Sequence, residues 1–210
     1  MTKFSSSENG YTYNSYLPCC TLSNFQAFHY LFFAKKALEH IRYGEVKIII
    51  KDRNSQRVIQ TIIRNGNNDG VKISLKKNEC ITVEVSGCHT FDLINLGKVQ
   101  FKNEEKSLIF LPNGDKIYKG KILFICPELD NSGNGSKVKK GETTFWPEFW
   151  SFEKIVQKIV EAYLCSTIKR NNDKWISKTK DGIEIEGYSD KKTGLIKTAY
   201  IVMNKYDSFK

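Results

Sequence analysis

The sequence predicts an α+β fold: antiparallel sheets with an N-terminal helical part and one packed amphipathic helix. Three observations carry that prediction. Phe25 to Ile41 is dense in aromatic and aliphatic residues with no Gly or Pro, which favours helix. From Glu45 to Cys126 the pattern changes to short β-branched runs between turn signals, the mark of antiparallel strands. Ser151 to Lys169 then returns to a helical period.

The first helix is capped from Ser23 or Asn24 and ends before Gly44. The strand runs are Val46-Ile50, Val58-Ile63, Val71-Leu75, Ile81-Val85, Val99-Phe101, Leu108-Leu111 and Ile117-Ile125. Asn65-Gly66-Asn67-Asn68-Asp69-Gly70 and Pro112-Asn113-Gly114-Asp115 supply turns between them. Asn131 to Lys140 reads as an exposed loop. In the second helix Ile155, Val156, Ile159, Val160, Tyr163 and Leu164 line one side, with Glu153, Lys154, Lys158 and Glu161 opposite. The chain closes on a hairpin, Gly182-Tyr188 and Leu195-Met203, joined through Asp190 to Gly194. Period-two alternation along its last strand sets Ile196, Thr198 and Tyr200 on one face and Lys197 and Ala199 on the other.

At 210 residues and 40% hydrophobic content the chain can bury a substantial core. A polar segment, 1-24, precedes a single domain, 25-210. The 33 Lys and Arg against 23 Asp and Glu leave a net charge of +10, which favours anionic partners such as RNA. The six cysteines show neither a CxxC pair nor regular spacing, so they read mostly as buried thiols in a reducing compartment. The N-terminal stretch lacks the order of a signal peptide, and no apolar run reaches the length of a membrane span. The sequence therefore predicts a soluble protein with no membrane insertion.

Only three histidines, His29, His40 and His89, are available for proton transfer near neutral pH. His40 closes the first helix, where the dipole favours its protonated form, and it is equally readable as a plain helix terminator. His89 follows Gly87, which permits close approach of another group. Cys88 invites a thiol reading, although neighbours on an extended strand point to opposite faces. Thr198 and Tyr200 can present hydroxyls to one ligand or merely to water. Lys137, Lys139 and Lys140 can stabilise phosphate charge or form a solvated face.

Taken in order, these pieces resemble the bacterial EndoU nuclease family. The pattern is a helix ending in His-x-x-x-Gly-Glu, a Gly-x-His, a lysine before a Ser-Thr-Phe-Phe-Pro segment, an amphipathic helix and a strand reading Thr-Ala-Tyr-Pro. Here it is met by His40-Ile-Arg-Tyr-Gly44-Glu45, Gly87-Cys88-His89, Lys139-Lys140-Gly-Glu-Thr143-Thr144-Phe145-Trp146-Pro147, Trp150 to Tyr163, and Thr198-Ala199-Tyr200. The resemblance runs from Ala37 to Met203. It departs at Trp146, at Ile201 and in an apparent insertion over about 46-85.

The resemblance implies an EndoU or RNase A-like (BECR-type) nuclease fold. It implies an endoribonuclease that needs neither metal nor cofactor and cleaves RNA by 2′-hydroxyl attack to leave a 2′,3′-cyclic phosphate. His40 and His89 would exchange protons with the substrate, and Lys140, preferred over Lys139, would stabilise the phosphorane. Tyr200 and Thr198 would orient the nucleoside, with Lys139, Thr143 and Thr144 beside the substrate. Many bacterial relatives are secreted C-terminal toxin modules of the kind used in contact-dependent inhibition, some of which cut tRNA, and the eukaryotic and nidoviral relatives prefer uridine. By analogy this chain would leave its producer, act in a target-cell cytoplasm, and be matched by an acidic immunity protein. Two rivals remain: an inactive RNA-binding module of the same fold, and a thiol hydrolase built on Cys88.

Overall fold

The computed structural model describes residues 31–129, 135–165 and 173–202. The expected cap at Ser23 or Asn24 and the helix up to residue 30 lie outside the described residues. Within them, the predicted helix is interrupted. Phe33 leaves helical pairing to bridge Ile196 in parallel, Ala34 N–H donates to the Ile196 carbonyl at 2.8 Å, and Lys36 turns left-handed at φ 68°. Phe33 is 4% exposed in the core. Burying an aromatic ring against a distant strand outweighs one more turn of local helix.

Helix α1 (Ala37–Tyr43) stops at Gly44, as the sequence predicts. The stop is enforced: Gly44 has φ +68°, and a Cβ there would lie 2.6 Å from the Ser86 carbonyl oxygen. Strands β1 (Glu45–Asp52), β2 (Val58–Asn65) and β3 (Glu79–Ser86) follow as an antiparallel sheet ordered β2-β1-β3. The predicted strand Val71-Leu75 is not one. Its Val71 N–H donates to a side chain, Glu128 Oε1, at 3.0 Å, and the segment joins no ladder.

After the short α2 (Asp92–Asn95) come β4 (Val99–Phe101), β5 (Ser107–Phe110), β6 (Lys116–Gly120) and β7 (Ile122–Ile125). The run Ile117-Ile125 is therefore two strands, and they enter different sheets. Strand β6 pairs with β5 and with β9 (Thr143–Thr144), whereas β7 pairs with β4 and β8 (Ser136–Val138). Gly120 marks the switch, since a Cβ there would sit 2.7 Å from the Glu105 carbonyl oxygen. Strand β8 also replaces part of the expected loop Asn131 to Lys140; residues 130–134 lie outside the described residues.

Helix α3 (Phe152–Cys165) appears where the period places it, and its expected continuation to Lys169 falls outside the described residues. Its buried face, Ile155, Val156, Ile159 and Val160, packs on a sheet of β10 (Lys174–Lys178), β11 (Glu184–Ser189) and β12 (Ile196–Ile201). Strand β10 has no counterpart in the sequence reading. Trp175 lies flat on Gly187, whose Cβ would meet its ring at 2.2 Å, so glycine is required there. One expectation about β12 is corrected. A bulge pairs Tyr188 with Thr198 but Ser189 with Ile196, which turns Ile196 into the core beside Ala199 and Ile201. Thr198 and Tyr200 keep the opposite face.

The core has two lobes. One joins α1, α3 and the β10-β11-β12 sheet; the other gathers Val46, Ile48, Phe91, Phe124 and Phe145. Residues 46–85 thus contribute core side chains. A buried ion pair ties their sheet to the chain after β7. Arg64 Nε donates to Glu128 Oε1 at 2.6 Å, with the side chains 3% and 0% exposed. Arg64 also donates to the carbonyls of Asn65 and Asn68. Breaking one partner strands a buried charge, so Arg64→Met is expected to cost about 3–5 kcal/mol in urea unfolding. Adding Glu128→Leu should recover most of that loss, and no recovery would refute the pairing argument. Among the described residues no helix is long and apolar enough to cross a membrane.

Candidate active site

Gly87 is where the candidate residues converge. It has φ +71°, and a Cβ there would lie 2.3 Å from the His40 carbonyl oxygen and 3.0 Å from His40 Cδ2. Only glycine lets the turn after β3 press against the end of α1. The turn then binds the helix's last carbonyls: Cys88 N–H donates to His40 O at 3.1 Å and His89 N–H to Ile41 O at 2.8 Å. On the far side Trp146 N–H donates to His89 O at 2.8 Å. His89 is thereby fixed between α1 and the Thr143-Pro147 segment.

The His89 ring is held as firmly as its backbone. Nδ1 lies 3.1 Å from the Thr144 carbonyl oxygen, and the imidazole stacks on Tyr200 with centroids 5.3 Å apart and planes at 13°. A carbonyl only accepts, so Nδ1 carries the hydrogen and Nε2 keeps its lone pair. Burial, with Lys139 and His40 adding to it against the Thr144 carbonyl, pushes His89 down to about 3. His40 is also lowered, chiefly by burial, with Glu45 opposing and Lys139 assisting.

Lys139 follows β8, and its Nζ donates to the Gly87 carbonyl at 2.7 Å. Burial lowers it to about 8. Lys140 is exposed and is not among the charges acting on His40 or His89. Tyr200 donates its hydroxyl to Glu186, and burial followed by that carboxylate raises its pKa. Thr198 Oγ1 is buried without a partner among the described residues. Thr143 is 1% exposed, also with an unpartnered hydroxyl, and Thr144 acts through its backbone carbonyl. The structure therefore gathers His40, His89, Lys139 and Tyr200, and leaves Lys140 outside that cluster.

Cys88 cannot serve as a ready nucleophile. It is 0% exposed, its thiol faces the Thr90 carbonyl at 3.9 Å, and burial pushes it up to about 12. At neutral pH it is a protonated core thiol. Among the described residues no three His, Cys, Asp or Glu side chains gather as metal ligands. Glu186, which was not read as a site residue, is the polar residue of a buried stretch, flanked by Ile185 and Gly187. Its only sequence signal is a carboxylate where alternation leaves the face shared with Tyr188.

An α+β scaffold with two histidines, a partly buried lysine and a tyrosine around one turn offers groups that can move protons and stabilise an anion. The family model described as bacterial EndoU nuclease matches residues 34–201, so the chain belongs to that family and is an endoribonuclease. Comparison with curated proteins and with solved structures gave no match.

Proposed function

We propose that the chain cleaves RNA by transesterification at this centre, with His89 as general base and His40 as general acid. The observation that carries the reading is the Nδ1–H bond of His89 to Thr144 O, which leaves the Nε2 lone pair of a neutral ring to accept a proton. That nitrogen takes the proton of the ribose 2′-hydroxyl. The freed oxygen attacks phosphorus, and His40 returns a proton to the departing 5′-oxygen, leaving a 2′,3′-cyclic phosphate. His40 takes the acid role: burial lowers it, while Glu45 and the end of α1 act in the opposite direction and favour its charged form. Lys139, rather than Lys140, supplies positive charge to the phosphorane. Tyr200 and Thr198 line the wall that orients the nucleoside.

The net charge of +10 suits RNA, and it also suits an acidic inhibitor that would protect a producing cell from a toxin of this kind. Delivery to a competitor, tRNA as target and cutting at uridine belong to the same proposal.

Incubating the protein with mixed RNA in EDTA, followed by end-group analysis and mapping of cut sites, tests it. Cyclic phosphate ends that vanish in His89→Ala support the scheme. RNA binding without any cutting would support the inactive-module alternative, and cutting that requires an added metal would overturn the mechanism.

A further inference from the structure

The polar face of the β10-β11-β12 sheet holds a carboxylate that the cleavage scheme leaves unused. Glu186 in β11 stands directly opposite Tyr200 in β12, so both side chains leave the sheet on one face. The residue is 7% exposed. Its Oε1 accepts the Tyr200 hydroxyl and, at 3.4 Å, that of Tyr188. Its Oε2 takes the Lys174 ammonium at 2.8 Å.

A carboxylate paired with an ammonium can only accept hydrogen bonds. The direction of the Tyr200 bond is therefore fixed, and its proton points at Glu186. What the Tyr200 oxygen has left to offer is a lone pair. Phosphate oxygens are acceptors as well, and the negative charge of Glu186 behind the phenol opposes them. Ribose hydroxyls and base N–H groups can donate.

We propose that Glu186 is a positioning residue that commits the Tyr200 hydroxyl to accepting, so that Tyr200 engages a donor on the nucleoside, a ribose hydroxyl or a base N–H, and not the phosphate. This rests on the placement of Tyr200 beside the substrate argued above. Two further observations fit. The same bond fixes the phenol ring parallel to His89, so orientation of the hydroxyl and of the general base are coupled. Thr198 Oγ1, two residues along the same face, is unpartnered among the described residues and can complete recognition of the same nucleoside.

The test measures binding of uridine 3′-phosphate and its 2′-deoxy and N3-methyl analogues by calorimetry, together with kcat and KM for an RNA oligomer. Tyr200→Phe is expected to weaken uridine 3′-phosphate about tenfold, one hydrogen bond's worth, and to show no such loss with one analogue. Loss abolished in the 2′-deoxy compound assigns the donor to the ribose, and loss abolished in the N3-methyl compound assigns it to the base. Loss undiminished in both overturns the acceptor role. Glu186→Gln should lower kcat/KM about tenfold in the native background and add nothing to Tyr200→Phe, because the two act as one unit. Equal losses in both backgrounds, or none in either while Tyr200→Phe is impaired, overturns the wiring alone. Wild-type cutting and binding by Tyr200→Phe overturns the placement of Tyr200 itself. The analogue series leaves Glu186 untouched, so it decides the acceptor role of Tyr200 even if Glu186→Gln does not fold.

Discussion

Replacing His89 with alanine is expected to lower kcat/KM for RNA cleavage about 10²- to 10⁴-fold, the usual worth of a positioned general base. His89→Asn should lose as much while folding normally, because its amide nitrogen takes the place of Nδ1 and can still donate to the Thr144 carbonyl. A variant that keeps the hydrogen bond and loses only the basic nitrogen separates chemistry from architecture. Cleavage at near wild-type rate by His89→Asn would remove His89 from the mechanism.

The pH dependence follows from the same burial. In the free enzyme the base must be neutral and the acid protonated. With His89 near 3 and His40 below its ordinary value of 6.5, kcat/KM should peak on the acid side of 6.5 and fall as His40 deprotonates. Stability moves the other way. A histidine whose folded pKa is depressed stabilises the fold fully above 6.5 and loses that contribution as pH falls towards 3. Between pH 7 and pH 4 the loss is about 3 kcal/mol. Urea unfolding at those two pH values should show a drop in the native chain that is smaller by about this amount in His89→Asn. Equal drops would mean that the ring is not buried neutral.

Local pattern and long-range contact divide what the sequence discloses. Helix α3 was readable because Ile155, Val156, Ile159 and Val160, all buried, recur at helical spacing, although Leu164, read on the same side, is exposed, and most strands because β-branched residues cluster between turn signals. The break at Phe33 was not, since what opposes the helix is a bridge to Ile196, far along the chain. The bulge in β12 was hidden for a related reason: alternation counts residues, and the extra one is revealed only by the partner strand. The division at Gly120 needed the carbonyl of Glu105 to be seen. In the site, the order of motifs was enough to nominate His40, His89 and Tyr200 together. Glu186 carried no motif, and its place opposite Tyr200 is a property of strand register alone.

Lys139 and Lys140 are chemically identical neighbours, so only their surroundings can rank them, and those surroundings predict a large asymmetry. Lys139→Ala is expected to lower the single-turnover rate about 10²- to 10³-fold, comparable to the loss of one preorganised charge donor. Lys140→Ala should change it by no more than about threefold at physiological salt, because an exposed charge is screened over roughly 8 Å. The Gly87 carbonyl holds the Lys139 ammonium at 2.7 Å, beside both histidines whose pKa it lowers. That burial has a second consequence. A lysine held near 8 loses its charge, and the reaction its catalyst, as pH rises through 8. The fold gains over the same range, since above 8 the unfolded chain binds more protons than the native one. The gain reaches about 3 kcal/mol by the ordinary lysine value of 10.5. Activity, already falling as His40 deprotonates, should fall more steeply across pH 8 to 10 while stability rises, and Lys139→Met should remove both the added steepness and the rise. Loss of activity in Lys140→Ala with Lys139→Ala unaffected would reverse the assignment.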